Sequence, residues 1–463
     1  MIHLGGNRFR LCDGFTRRDV LTIGALGAAG VSLADVLRAE EKTGRREMSC
    51  IFFFLHGGMS QLDTFDMRPD APAHIRGEFR PVPTKVPGYH ICEHLPRLAR
   101  MTDRFSVIRS MTHKFTNHQP GSIYTLGGKP PLLDVSGIPI SADDHPNPGA
   151  VISRLRGNKT PMPTFVQLSA PLVGDNALNC PGQNAGILGP SYDPLKITDD
   201  PDRPGFNVEE LSLPKEVGQE RLRRRRNLLA AVDEGFPLIG QAADVSAMDK
   251  YYKRAFEMLT SPAARKAFDI GQEPEAVRER YGRNVYAQRL LLARRLVEAG
   301  VRMVTVYWGG NLNSPDDYWD THRRNFGKQK ELLLPQWDQC FSALLEDLES
   351  RGLLDTTLVV CAGEFGRTPK VGQITANAGT DATGRDHWPF CYSVVLAGGG
   401  VKGGRQIGRG DATTAAVTDR PVRPEDVTAT LYDRFGLAPE TEIHDLVGRP
   451  HPISRGAPVT ELF

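Results

Sequence analysis

The chain has no Cys-x-x-Cys pair, no Gly-x-Ser-x-Gly, no internal repeat and no low-complexity tract. Each absence removes a class. Without Cys-x-x-Cys there is neither a zinc knuckle nor a thioredoxin-type redox site. Without Gly-x-Ser-x-Gly the Leu55-His56-Gly57-Gly58 segment cannot be the oxyanion loop of a serine esterase. The net charge is only +2, and it falls to zero once residues 1–39 are set aside, so no global field points to nucleic acid. No run reaches the roughly 20 strongly apolar residues that a stable membrane span requires. Cys50, Cys361 and Cys391 lie inside apolar, strand-like runs and read as buried thiols.

The N-terminus instead carries Thr16-Arg17-Arg18-Asp19-Val20-Leu21, a Gly- and Ala-rich apolar run to Leu33, and Ser32-Leu33-Ala34 as a small-x-small cleavage pattern. This resembles a twin-arginine export signal. It predicts a signal segment over 1–39 and a charged linker over 40–48. A single domain over 49–463 follows, delivered by the twin-arginine export machinery to the periplasm or otherwise exported.

Buried strands are predicted at Ser49 to Leu55, Phe105 to Arg109, Thr164 to Leu168, Arg302 to Tyr307, Thr357 to Ala362 and Tyr392 to Ala397. Helices are predicted with Pro120 in the first turn of one running to Leu126, and at Pro214 to Asp233, Val245 to Leu259, Ala263 to Ile270, Glu275 to Gly300, the amphipathic stretch after Leu332, and Glu425 to Phe435. Strands separated by helices define an α/β fold: a three-layer α/β/α sandwich with a mostly parallel sheet. The Pro-, Gly- and Asn-rich stretch from Asp134 to Leu213 reads as surface loops able to roof a cleft. Arg221 to Arg226 lies one turn after Glu216 and Glu220 and reads as a solvated helix face. Gly398-Gly399-Gly400-Val401-Lys402-Gly403 opens no helix and reads as a turn.

Polar groups just past the carboxyl ends of such strands sit where α/β proteins keep ligands. His56, His118, the Asp320/His322 pair and Glu364 follow four strands, and Arg385-Asp386-His387 precedes the next. Imidazoles mixed with carboxylates suit a divalent cation with an open position. The metal candidates are His56, Asp63, Asp320, His322, Glu364, Asp386 and His387. Zinc suits the histidine-rich set; manganese or calcium suits a carboxylate-rich version.

Asp338, Leu344-Leu345-Glu346-Asp347-Leu348 and Arg351-Gly352-Leu353-Leu354-Asp355-Thr356-Thr357-Leu358-Val359-Val360 resemble the helix and strand before the metal-binding turn of sulfatases. There the turn reads Ser-Asp-His/Asn-Gly; here it is Gly363-Glu364-Phe365-Gly366, so Glu364 stands for the ligand Asp. From about Ser49 to Phe463 the chain is similar to the alkaline phosphatase superfamily, and within it to the sulfatase-like domain of unknown function family 1501. The resemblance implies a metal-dependent hydrolase of phosphate or sulfate esters, borne on a small molecule or a polysaccharide. It also places Asp320, His322, Glu364 and His387 at metal positions, with the short Asp320-to-His322 spacing leaving open whether one of them supports the other.

His118-Gln119-Pro120-Gly121-Ser122, followed by Gly127-Gly128-Lys129-Pro130, resembles the nucleophile helix, with His118 in place of the nucleophile and Asn117 beside it. Arg367 and Arg385 are the candidate clamps for an oxyanion. The missing Ser, Thr or Cys nucleophile keeps a second reading open, a catalytically degenerate member serving as a binding or envelope-associated module.

Overall fold

The computed structural model describes residues 47–173, 179–206, 208, 224, 256, 258, 260–309, 319–375 and 379–463. The signal segment and the helices expected over 214–233 and 245–259 lie essentially outside them. Eight strands form the central sheet: β1 Ser49–Leu55, β2 Phe105–Met111, β3 Phe165–Leu168, β4 Leu195–Ile197, β5 Met303–Trp308, β6 Thr357–Ala362, β7 Tyr392–Ala397 and β8 Gln406–Ile407. Their order is β8-β2-β7-β6-β1-β5-β3-β4. β1 lies between β5 and β6, parallel to both, with Phe53 opposite Val306 on one side and Cys361 on the other. Only β7 runs against its neighbours, antiparallel to β2 and β6.

β1 is buried on both faces, as a central strand of a covered sheet must be. Ile51, Phe53 and Leu55 join one core cluster, with Leu290, Leu291, Leu344 and Leu345; Cys50, Phe52 and Phe54 join the other, with Leu126, Val151 and Leu431. Burying each large side chain contributes about 1.5–3 kcal/mol. The helices α1 His118–Gly127, α2 Pro148–Leu155 and α5 Pro424–Arg434 cover one face, and α3 Val285–Glu298 and α4 Leu334–Ser350 cover the other. This is the three-layer α/β/α sandwich the alternation predicts.

Two departures have physical causes. The helix expected from Glu275 to Gly300 is two helices, because Gly282 turns at φ +109° and the Asn284 side chain caps the next start by accepting from Ala287 N. Pro120 lies in the first turn of the helix that opens at His118, as its sequence position predicts, where a missing N–H costs nothing. The short edge strands β4 and β8 are too brief to leave a periodic signal.

Candidate metal centre

The carboxyl ends of β1, β5 and β6 close on one another because three glycines let the backbones touch. Gly57 sits at φ +108°, and a Cβ there would lie 2.2 Å from Asp320 N; at Gly58, φ +84°, it would lie 2.3 Å from the Phe365 carbonyl oxygen. Gly363 packs on Gly58 from the other side. Backbone bonds lock the junction: His56 N donates to Trp308 O, and Trp319 N donates to His56 O. Gly57→Ala therefore meets both left-handed strain, about 1–3 kcal/mol, and a backbone clash. It is expected to lower the thermal midpoint and to abolish metal binding together.

Glu364, two residues beyond the end of β6, is fully buried. Its Oε1 accepts from Gly57 N at 2.8 Å, meets His118 Nδ1 at 2.6 Å and lies 3.8 Å from His56 Nε2. Its Oε2 has no hydrogen-bond partner among the described residues. On the far side of His118, Nε2 lies 3.3 Å from Asp320 Oδ2. Asp320 Oδ1 then meets His322 Nε2 at 2.8 Å, His387 Nε2 at 3.3 Å and Arg367 Nη2 at 2.6 Å. His387 is carried by a small hairpin in which His387 pairs with Arg367.

Two groups of ligand atoms lie within 4.8 Å of one another: His118, Asp320, His322 and His387, and His56, His118 and Glu364. The donor chemistry of the first fits a cation. His387 Nδ1 donates to Thr116 O at 2.7 Å, so its Nε2 carries a lone pair. His322 Nδ1 lies 3.4 Å from Asp386 Oδ1 without a hydrogen bond, and its Nε2 is 2.8 Å from Asp320 Oδ1. These two Nε2 atoms are 2.9 Å apart. That approach is satisfied by a proton on His322 Nε2 or by a metal ion shared between the two rings.

Charge follows geometry. Burial alone would lower the His118 imidazole, but Asp320 and Glu364 on either side outweigh it and raise it to about 10. Burial would raise Asp320 and Glu364; Arg367 and His118 hold the first well below the usual carboxylate range, and His56 and His118 hold the second down. Burial and the nearby His118 charge push His387 down to about 4.

Of the sequence candidates, the structure thus gathers His56, His118, Asp320, His322, Glu364 and His387, with Asp386 behind His322. The remaining candidates go elsewhere. Asp63 and Arg385 are spent on each other in a fully buried pair, Nε to Oδ2 at 2.9 Å and Nη2 to Oδ1 at 3.2 Å, so neither enters the ligand cluster. Arg385 also donates to the carbonyls of Thr368, Pro369 and Ile75, which leaves it no fork for an oxyanion. Arg367 grips Asp320 and donates through Nε to Gly58 O, so it positions a ligand instead of clamping a substrate. The Asn117 side chain donates to Asp134, away from the cluster.

Sequence reasoning missed His113, Thr116 and Phe365. The Phe365 ring stacks on His387 at 4.4 Å between centroids. His113 Nε2 donates to Glu364 O at 2.6 Å, and its Nδ1 accepts from Phe115 N at 3.0 Å. A histidine two residues past a buried strand was the available signal.

Both nitrogens of His113 are satisfied only in the neutral ring, and burial pushes its pKa down to about 4. The unfolded value is about 6.5, so below that pH the unfolded chain binds one proton more than the folded chain. Stability is full above pH 6.5 and falls by about 1.4 kcal/mol per pH unit toward pH 4. Denaturation midpoints of wild type and His113→Gln across that window check this: the variant's pH slope is expected to be shallower.

The chain belongs to the family described as "Protein of unknown function (DUF1501)", whose model matches residues 47–463. No curated protein matches it. Among solved structures it is similar to a sulfatase from Pseudoalteromonas sp., at 11% identity and TM-score 0.37, covering 87% of this chain and 70% of that one. It is similar to the phosphonate monoester hydrolase of Agrobacterium radiobacter at 12% identity and TM-score 0.38, covering 90% and 77%. A protein in the alkaline phosphatase superfamily from Vibrio parahaemolyticus matches at 10% identity and TM-score 0.34, covering 85% and 67%.

Proposed function

We propose that this protein is an exported, metal-dependent hydrolase of phosphate or sulfate esters. The observation that carries the reading is the convergence of Asp320 and His322, from one loop, and His387, from a small hairpin, on one point beside His118. Three protein ligands with an open position are the usual arrangement of a catalytic zinc site. A divalent cation held there would polarise a phosphoryl or sulfuryl oxygen and supply a nucleophile from water. Export rests on the Arg17-Arg18 segment; among the described residues no helix is long and apolar enough to cross a membrane.

The chain's own residues divide the remaining work. The Thr116 carbonyl fixes the ring orientation of His387, and Asp386 lies 3.4 Å behind His322. Arg367 holds Asp320 ionised and in place. His118 carries a proton at Nε2 toward the cluster while Glu364 holds Nδ1, so His118 is suited to give a proton to the leaving oxygen. An ester screen tests the reading. The chain loaded with zinc, manganese or calcium should hydrolyse at least one of a set of aryl phosphates, phosphonates and sulfates. His118→Asn should keep the metal yet lose activity, by roughly the 10²–10⁴-fold of a general acid. Turnover that is indifferent to chelator would overturn the proposal.

The second reading, a binding module without turnover, is favoured by one observation: at the helix start where the resemblance expects a hydroxyl or thiol nucleophile, His118 is ion-paired on both ring nitrogens. Metal binding with no turnover of any ester would favour it.

A further inference from the structure

The β2/β8 edge of the sheet carries a second concentration of charge that the proposed chemistry does not use. A cleft of about 460 Å³ is lined by Arg68, Arg109, Arg409, Gly410, Asp411 and Thr418. None of the clustered histidines borders it. Arg109 also lines a second cleft of about 290 Å³, with Asp66 and Tyr89.

Three guanidiniums share this space: Arg68 is fully engaged, donating to Asp66, the Met67 carbonyl and the Asp411 carbonyl, whereas Arg109 and Arg409 keep donors to spare. Asp66, buried in the wall, is taken by Arg68, with Nη1 to Oδ1 at 2.6 Å and Nη2 to Oδ2 at 3.1 Å. Arg109 is left with contacts at the long limit, 3.4 Å to the same Asp66 oxygen and 3.5 Å to Gly408 O. Its Nε is shielded from solvent and has no hydrogen-bond partner among the described residues. Asp411 turns Oδ1 onto its own loop, accepting from Thr413 N, the Thr413 hydroxyl and Ala415 N. Arg409, just past β8, is exposed and makes no ion pair among the described residues. A shielded donor without an acceptor is destabilising, and an incoming anion would supply the missing partner.

We infer that this cleft is an oxyanion-binding site, separate from the histidine cluster, that takes a tetrahedral sulfate or phosphate group. Planar guanidinium forks match the paired oxygens of such groups better than lysines would. The group arrives either as the free ion or as a substituent on a polymer, and both present the same oxygens. The site stands whether or not the histidine cluster hydrolyses esters, because its test reads binding alone.

Isothermal titration of the full chain with inorganic sulfate, inorganic phosphate and a multiply sulfated oligosaccharide tests it, in wild type, Arg409→Glu, Arg109→Lys and His387→Ala. Arg409 is exposed, so its variant should fold with an unchanged thermal midpoint. Saturable binding is expected, weakened at least about tenfold in Arg409→Glu, weakened in Arg109→Lys, and preserved in His387→Ala. Binding of the free ions supports a site for the ion itself; binding of the oligosaccharide alone supports a site for a substituent on a longer substrate. No binding of any probe would overturn the inference. So would binding that survives in both arginine variants, or binding lost only in His387→Ala, which would put the anion on the histidines.

Discussion

Asp320→Asn is expected to empty the metal centre and to destabilise the fold in one step. Asp320 is the hub of the first ligand group, within 3.3 Å of His118, His322, His387 and Arg367. Losing a direct ligand should cost metal affinity more than the roughly 10–100-fold that loss of an outer-shell partner costs. The stability penalty has a different origin. Arg367 is fully buried, and without the carboxylate its charge keeps only the Gly58 and Arg385 carbonyls. Removing one partner of a buried pair typically costs about 3–5 kcal/mol. Adding Arg367→Met to Asp320→Asn removes the orphaned charge and should recover most of the stability, whereas metal binding should not return. Chemical denaturation alongside metal titration on the single and double variants separates the two effects. A double variant as unstable as the single one would refute the buried-charge explanation.

Asp63→Asn should produce the opposite pattern, a large stability loss with the metal centre intact. Both partners of the Asp63–Arg385 pair are 0% exposed, and Asp63 Oδ2 also accepts from Ser60 at 2.6 Å and Asn325 at 2.9 Å. Neutralising the acid leaves Arg385 charged in the interior, again about 3–5 kcal/mol. At a temperature where the variant stays folded, it should bind as much metal as wild type. Equal stability with lost metal would restore Asp63 to the ligand set.

These two variants also mark where the sequence is readable. The strands β1, β5 and β6 were legible because a buried parallel strand is a continuous apolar run with a polar stop, and the stops His56 and Glu364 fall where the chain leaves the sheet. His322 and His387 were legible for the same reason, as histidines beside carboxylates near strand ends. What decides between Asp63 and Asp320, both acids just beyond strands, is packing between distant segments. Asp63 meets an arginine 322 positions away. No local pattern records that partner. Asn117 likewise turned to Asp134, seventeen residues on, because that carboxylate also takes the Thr116 and Asn117 backbone N–H groups. Arg367 and Arg385 look alike in sequence, and only the three-dimensional path assigns one to Asp320 and the other to Asp63. The antiparallel direction of β7 was hidden too, since a fully buried strand reads the same in either direction.

The most direct test of the account is a calorimetric titration of the chelator-stripped protein with zinc and with manganese, in wild type and in His322→Ala/His387→Ala. Saturable binding of at least one ion per chain is expected in wild type and absent from the double variant, with the variant still folded. No saturable binding of either ion, or equal binding in both proteins, would contradict the account.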